Sequence, residues 1–221
     1  ITVTDTEDPV ISGTPSDITQ TADAGDCGAV VTWTAPTATD NCTLDTFTST
    51  HDSGDSFAVG TTTVSYTATD DCGNSTTTSF TVTITDDEAP SISGTPSDIT
   101  QTADAGDCST AVTWTEPTTA DNCSATMTST HSPGASFAVG STTVTYTSVD
   151  PAGNTTTSSF TVTVTDDEDP AIAGNPGNLT QTADAGQCSA LVSWTAPTAT
   201  DNCAISTFTS THNSNLSLIH I

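Results

Sequence analysis

Clusters of carboxylates stand just before a proline at three points in this chain. They are Asp5, Glu7 and Asp8, then Asp86, Asp87 and Glu88, and then Asp166, Asp167, Glu168 and Asp169. Carboxylate oxygens are ligands that Ca²⁺ prefers, and the ion takes about six to eight oxygens. Three or four carboxylates in a short stiff linker, with loop carbonyls from a neighbouring domain, would complete that shell. We therefore predict candidate calcium sites here; the alternative is a solvated acidic linker that binds no ion.

The cysteines are the second group that could do chemistry. Six of the seven form pairs fifteen residues apart, which are Cys27 and Cys42, Cys108 and Cys123, and Cys188 and Cys203. Even pairs at one spacing predict one local disulfide per repeat, and hence an oxidising compartment. Zinc is disfavoured because it needs about four clustered ligands. The seventh, Cys72, has Ala152 as its counterpart, so we predict an unpaired thiol in a turn, with intermolecular pairing as the alternative.

The same motifs return along the chain at a nearly constant period. Trp33, Trp114 and Trp194 recur every 80 or 81 residues, which indicates an array of like domains. We predict the last strand of a missing preceding repeat at 1–5, complete repeats at 6–86 and 87–166, a partial repeat at 167–214 and a non-repeat tail at 215–221. The tail resembles the translation of a transposon-end sequencing adapter, so we expect an artefact; a natural divergent terminus is the alternative.

The elements that must position these groups are short strands. Val64, Tyr66 and Ala68 alternate with polar residues, which is typical of a strand with one buried face. We predict a strand over Ala29–Ala35 and a loop over Pro36–Cys42. In this loop Asp40 and Asn41 cap the backbone, as do their copies Asp121 and Asn122, and Asp201 and Asn202. About seven such strands per repeat, turns every 8–12 residues and no helical periodicity predict an all-β fold of tandem immunoglobulin-like β-sandwich domains.

The charge balance excludes two classes of partner. The chain has 27 acidic residues, no Lys or Arg and four His, for a formal net charge of −27. Nucleic acid and anionic membrane both need basic patches, so we predict neither as a partner. No apolar run is long enough to span a bilayer, so we predict no direct membrane insertion of this segment.

The combined motif of one repeat resembles the hyalin repeat. In the first repeat it consists of Cys27, Val31, Trp33, Pro36, Asp40, Asn41, Cys42, Phe57, Gly60, Val64, Tyr66, Asp70, Gly73, Asn74, Phe80 and Asp86. The resemblance covers the whole chain except the tail, and it implies an immunoglobulin-like fold, extracellular exposure and a role linked to adhesion. Family members often carry a second Cys pair, but those places hold Thr14 and Ser79 here, and Thr95 and Ser159 in the next repeat.

No arrangement of nucleophile and base recurs within a repeat, so we do not predict an enzyme. We predict structural or adhesive spacer repeats of a long secreted or cell-surface protein, with Ca²⁺ as the candidate cofactor. The partners would be neighbouring repeats and an extracellular-matrix or cell-surface ligand. Two alternatives stay open: the repeats themselves bind a carbohydrate or protein, or they are accessory domains of a secreted enzyme.

Overall fold

The computed structural model describes residues 3–212 and the backbone of strand Leu216–Ile219. Residues 1, 2, 213–215, 220 and 221 lie outside the described part, so the predictions for 1–5, 167–214 and 215–221 fall partly on residues that are not described. The described residues form strands and no helix, and none of them belongs to a helix long and apolar enough to cross a membrane.

The strands repeat along the chain. The first repeat holds β1 Val10–Ser12, β2 Ile18–Thr21, β3 Gly28–Val30, β4 Thr37–Thr39, β5 Leu44–Ser49, β6 Ser56–Ala58, β7 Gly60–Asp70 and β8 Ser75–Thr85. The second holds β9 Ser91–Ser93, β10 Ile99–Thr102, β11 Ser109–Ala111, β12 Thr118–Ala120, β13 Thr126–Ser129, β14 Ser136–Ala138, β15 Gly140–Val149 and β16 Thr155–Thr165. The third holds β17 Ala171–Ala173, β18 Ser189–Val192, β19 Thr198–Thr200 and β20 Leu216–Ile219.

The chain divides into two compact units that do not coincide with the repeats. The first unit contains the residues up to Gly94, together with Pro117–Ser129 and Tyr146–Ser158. The second contains Thr95–Glu116, Thr130–Thr145 and the residues from Ser159 onward. Each unit therefore combines parts of two successive repeats.

A four-stranded sheet is the main layer of each complete repeat. Its order is β2-β8-β7-β5 in the first repeat and β10-β16-β15-β13 in the second. The strands β2 and β8 run parallel, while β7 is antiparallel to both β8 and β5. Two short pairs, β1 with β4 and β3 with β6, complete the first repeat. The result is a chain of tandem β-sandwich domains, as the sequence predicts.

The core of the first repeat follows from strict alternation in the long strands. Val64, Tyr66, Phe80, Val82 and Ile84 are buried, while the residues between them are only partly covered. Alternate residues of a strand face opposite sides of the sheet, so one face of β7 and β8 closes on the short strands. The cluster is completed by Ala29, Val31 and Phe57, with Ile11, Ile18, Ala22 and Trp33 packed against it.

A polar contact fixes Trp33, a large aromatic of the first repeat that is only half-buried. The indole Nε1 of Trp33 donates to the hydroxyl of Tyr66 at 2.7 Å. The Trp33 ring meets Phe80 edge-on, with centroids 5.3 Å apart. A buried indole N–H without an acceptor would cost free energy, so this bond keeps Trp33 in the sandwich.

The strand and the loop predicted around Pro36 are wrong in part, and the segment predicted as a non-repeat tail contains a strand that pairs with β18. The strand predicted over Ala29–Ala35 ends at Val30, and the loop predicted over Pro36–Cys42 contains β4, which pairs with the otherwise open edge of β1. An unpaired strand edge presents free N–H and C=O groups, which is why a short segment is recruited to it. Strand β20 pairs antiparallel with β18, as β6 does with β3.

Candidate metal centre at the repeat joints

Three carboxylates meet where the first repeat passes into the second. Each of Asp86, Asp121 and Asp150 places a carboxylate oxygen within 4.8 Å of the others. We call this group the middle joint, together with Asn122 and Cys123. All of these residues belong to the first compact unit. Such a cluster of hard oxygen ligands suits a cation such as Ca²⁺.

Strand ends bring these residues together. Asp86 follows the last residue of β8, Asp121 follows β12, and Asp150 follows β15 at the turn into β16. The backbone N–H of Cys123 donates to the Asp121 carboxylate at 3.0 Å, so the cap predicted for the Asp-Asn pair of each repeat is present in this repeat. The same carboxylate still has its other oxygen available to the joint.

The middle joint is buried and contains unsatisfied oxygens. Asp86 is 8% exposed and Asp150 is 6% exposed. One carboxylate oxygen of Asp86, one of Asp121 and the amide oxygen of Asn122 are buried without a hydrogen-bond partner. Buried polar atoms without a partner are costly, and the chain has no Lys or Arg to offset the charge. These oxygens therefore fit a bound cation.

Two asparagine amides hold the carboxylates in place. The Nδ2 of Asn122 donates to Oδ1 of Asp86 at 3.2 Å and to the carbonyl of Asp26 at 3.1 Å. The Nδ2 of Asn154 donates to the carbonyl of Asp86 at 3.2 Å and to Oδ2 of Asp150 at 2.7 Å. The joint is thus positioned by groups from both repeats.

The hairpin carboxylate stays ionised. Burial raises the pKa of Asp150, but donors from Asn154 and from the backbone of Ala152 and Gly153 lower the pKa by more, so the net pKa lies below its ordinary value. The same balance of burial against the donors of the turn from Asp70 to Asn74 lowers the pKa of Asp70 in the first repeat. Negative charge is therefore present at this position near neutral pH.

The local disulfides that we predict are wrong. Cys27 bonds to Cys123, and Cys108 bonds to Cys203, with Cα atoms 4.6 Å and 4.7 Å apart. The predicted pairs Cys27–Cys42, Cys108–Cys123 and Cys188–Cys203 do not form; among the described residues Cys42, Cys72 and Cys188 are exposed free thiols. The prediction of a free thiol at Cys72 agrees with this arrangement.

Distance within the repeat explains the correction. Cys42 lies at the acidic linker that precedes the first repeat, where its thiol donates a hydrogen bond to the Asp5 carboxylate. Cys27 follows a turn whose Gly25 N–H donates to Glu88 of the outgoing linker at 3.1 Å. The eleven-residue strand β8 separates these ends, and a strand rises about 3.3 Å per residue. A disulfide needs its Cα atoms within about 7 Å, so Cys27 can reach only the next repeat.

A second cluster, the first joint, contains Asp5, Asp40 and Cys42 within the same 4.8 Å limit. Here Asp5 is only half-buried. Its pKa is lowered by hydrogen bonds, first from the Cys42 thiol and then from the Glu7 backbone N–H. The hydrogen bond to Asp5, together with partial desolvation and nearby charge, raises the pKa of the Cys42 thiol to about 11.

The third joint contains Asp166, Asp201 and Cys203 and lies in the second unit. Asn202 donates to Asp166 at 3.3 Å and to the carbonyl of Asp107 at 2.9 Å, which repeats the pattern of Asn122. The sulfur of Cys203 is held in a disulfide and offers no thiolate to a metal. Two carboxylates remain as ligands, and Asp166 is exposed.

The linker acids predicted from the sequence divide into three groups. Asp5, Asp86 and Asp166 join the carboxylate clusters. Glu88 accepts from Gly25 N–H, and Glu168 accepts from Gly106 N–H at 2.9 Å. The others lie exposed outside the clusters, and they are Glu7, Asp8, Asp87, Asp167 and Asp169.

Sequence reasoning missed the partners of these acids. The sequence predicts Asp121 and Asn122 only as a loop cap, and it does not indicate Asp150 as a ligand. The signal was present, because both the Asp-Asn-Cys motif and the Asp-x-x-Gly-Asn turn recur in the repeats. An acidic residue that recurs at the same place in the repeats, although the turn alone does not require it, could have indicated the joint.

The chain is thus a repeat protein of tandem β-sandwich domains, with disulfides and carboxylate clusters between successive repeats. The family model described as "HYR domain" matches residues 4–84 and 85–164. The chain therefore belongs to the HYR domain family.

Curated relatives agree with this assignment. The chain is 39% identical over 220 residues to hyalin of Strongylocentrotus purpuratus, covering 96% of this chain and 18% of that protein. It is 38% identical over 210 residues to hyalin of Lytechinus variegatus, covering 91% and 40%. It is 33% identical over 162 residues to the sushi, von Willebrand factor type A, EGF and pentraxin domain-containing protein 1 of Rattus norvegicus, covering 69% and 4%. The chain thus spans less than half the length of these relatives.

Proposed function

We propose that these repeats are a non-catalytic structural spacer in a long extracellular or cell-surface protein, and that Ca²⁺ stiffens the joints between repeats. Membership in the HYR family and the likeness to hyalin support the spacer role. The two disulfides are consistent with an oxidising, extracellular location.

The observation that carries the calcium proposal is the middle joint. Three carboxylate oxygens lie within 4.8 Å of one another, and two of the three side chains are more than nine-tenths buried. Negative charges so close repel one another unless a cation lies between them. The chain has no cationic side chain other than its four His, so an external ion would supply the charge.

The donor set favours Ca²⁺ over softer metals. Asp86, Asp121, Asp150 and the unsatisfied amide of Asn122 offer oxygen only, and the one nearby sulfur, that of Cys123, is in a disulfide. Zinc prefers nitrogen and sulfur, whereas Ca²⁺ accepts carboxylate, carbonyl and water oxygens together. Because the ligands come from two repeats, an ion bound here would restrict bending at the joint.

Isothermal titration of the 221-residue chain with CaCl₂ tests the proposal. We expect binding, and we expect Asp86→Asn to weaken it by about tenfold or more, since a carboxylate ligand is lost. Calorimetric melting should also be compared with and without millimolar Ca²⁺. Added Ca²⁺ should raise the temperature of the first melting transition in the wild type but not in the variant.

Asp87→Asn is the matched control, because it removes the same charge one residue further along the linker from an exposed side chain. This variant should bind Ca²⁺ as the wild type does. Absence of binding in the wild type, or equal weakening by both variants, would leave a solvated acidic linker as the correct description.

A further inference from the structure

The first repeat holds two free thiols at one end of its main sheet. Leu44 of β5 pairs with Asp70 of β7, and the N–H of Asp71 donates to the carbonyl of Thr43 at 3.1 Å. This bond places Thr43 beside Asp71, so Cys42 and Cys72 come next to the paired residues on each side. Both cysteines are exposed and unbonded.

Asp5 also links the two segments. The Cys42 thiol hydrogen-bonds to the Asp5 carboxylate, and Nδ2 of Asn74, in the turn of Cys72, donates to the Asp5 carbonyl at 3.3 Å. The two thiols also act on each other, since Cys72 is among the groups that raise the pKa of Cys42.

The backbone around Cys72 is held in a defined turn. The N–H of Cys72 donates to Oδ1 of Asp70 at 2.9 Å, and the N–H of Gly73 donates to the carbonyl of Asp70 at 3.2 Å. Gly73 has a φ of 92°, a left-handed conformation that favours glycine and lets the chain reverse here. Cys72 is therefore presented to its opposite strand by an ordered turn.

We propose that Cys42 and Cys72 form a disulfide across this end of the first repeat. Cys42 is also the counterpart of Cys123, which bonds to a cysteine of the preceding repeat. In an array, the counterpart of Cys27 in a preceding repeat would be a second candidate partner for Cys42, and Cys72 would compete with it. The second repeat has Ala152 in place of Cys72 and lacks this choice.

The exchange needs no external oxidant. When Cys42 is bonded to another thiol, the Cys72 thiolate attacks the Cys42 sulfur, the Cys42–Cys72 bond forms, and the former partner leaves as a thiolate that takes up a proton. One disulfide is broken and one is made. In the isolated chain, the Cys42 thiolate attacks glutathione disulfide, which is the oxidant, and one glutathione leaves as a thiolate. Cys72 then displaces the second glutathione from Cys42 in the same way.

Peptide mapping of the oxidised chain tests the proposal. The 221-residue chain is equilibrated in glutathione redox buffers, trapped with N-ethylmaleimide and cut without reduction by an Asp-specific protease, because the chain has no Lys or Arg for trypsin. We expect the peptide of residues 40–44 linked to that of 71–85. Free thiols should fall from the three that the structure contains to Cys188 alone.

Cys72→Ala is the matched control, since it installs the residue of the second repeat. In this variant Cys42 should carry glutathione or join a second copy of the chain. Its oxidation should require at least about tenfold more glutathione disulfide than in the wild type, because an intramolecular partner acts at roughly millimolar effective concentration. Far-ultraviolet circular dichroism checks that the variant folds.

A second readout uses the exchange step. Chain preloaded with glutathione at Cys42 should release free glutathione in the wild type and retain it in Cys72→Ala. Separate glutathione or maleimide adducts on Cys42 and Cys72 in the wild type, or a Cys72 bonded only to another molecule, would overturn the proposal.

Discussion

The middle joint and the first joint carry the same motifs but differ in closure. Asp86 is buried in the middle joint, while its counterpart Asp5 is only half-buried. Cys123 is bonded to Cys27, while Cys42 keeps a free thiol. The middle joint is covered by the turn around Asp26 of the preceding repeat, which accepts from Asn122 and supplies the disulfide. A closed joint is therefore built from two repeats.

The third joint has the disulfide that the first joint lacks, but its linker carboxylate is exposed. It has the Cys108–Cys203 disulfide and the bond from Asn202 to the carbonyl of Asp107. The described part of the third repeat contains no counterpart of Asp150, and Asp166 is exposed. In the middle joint, Asp86 is contacted both by Asn122, which also bonds to the preceding repeat's turn, and by Asn154 of the following repeat's hairpin.

Removing the disulfide should expose the middle joint to solvent, so that it resembles the first joint more closely. For Cys27→Ser with Cys123→Ser, the chain-entropy model gives a loss of about 4 to 5 kcal/mol for a sequence separation of 96 residues. We expect a lower first melting transition in calorimetry and weaker Ca²⁺ binding.

Cys188→Ser is the control for this experiment, because it removes a thiol that has no disulfide in the described structure. It should melt as the wild type does. Equal melting of the double variant and the wild type would mean that the disulfide adds nothing to the joint.

Acid should weaken the hairpin turns. The folded-state pKa values of Asp70 and Asp150 are lowered, so their stabilisation is present above the ordinary value of 3.8 and is lost as pH falls through the folded pKa. In the presence of a chelator, Asp150→Asn should therefore be less stable than the wild type at pH 7. The difference in the free energy of unfolding between the two should become smaller towards pH 3.

Asp70→Asn extends this comparison to the first joint. In chelator it should show the same narrowing, since its turn is built in the same way. Only Asp150→Asn should also reduce the gain from added Ca²⁺. A stability difference that is constant from pH 7 to pH 3 would show that these carboxylates do not act through their charge.

The sandwich could be predicted because its signals are local. The alternation of Val64, Tyr66 and Ala68 along β7 requires only that one face of the strand be buried. The structure of the segment after Val30 is harder to predict. Its residues suit a strand, but β4 rather than that segment pairs with β1. Which segment takes an open edge depends on tertiary packing, and propensity does not contain that information.

The joints could be predicted only in part because their ligands are distant in sequence. The linker acids stood out as runs of charge, whereas Asp150 lies 64 residues after Asp86 and serves a turn as well. Cysteine periodicity was ambiguous, because pairing within a repeat and pairing between successive repeats both recur at the repeat period. Only the length of β8, which separates Cys27 from Cys42, decides between them.

The smallest expected effect concerns the linker glutamate that contacts the preceding repeat. Glu88→Ala removes the acceptor of Gly25 N–H, an exposed bond that we expect to contribute about 0.5 kcal/mol. The matched control is Glu7→Ala, because Glu7 stands at the same place in the first joint, where the described residues include no preceding turn. Hydrogen exchange at Gly25 should be roughly twofold faster in Glu88→Ala and unchanged in Glu7→Ala, by the same free energy. Equal exchange in all three chains would mean that the disulfide at Cys27 alone orders this turn, and that the linker contributes to the joint only through Asp86.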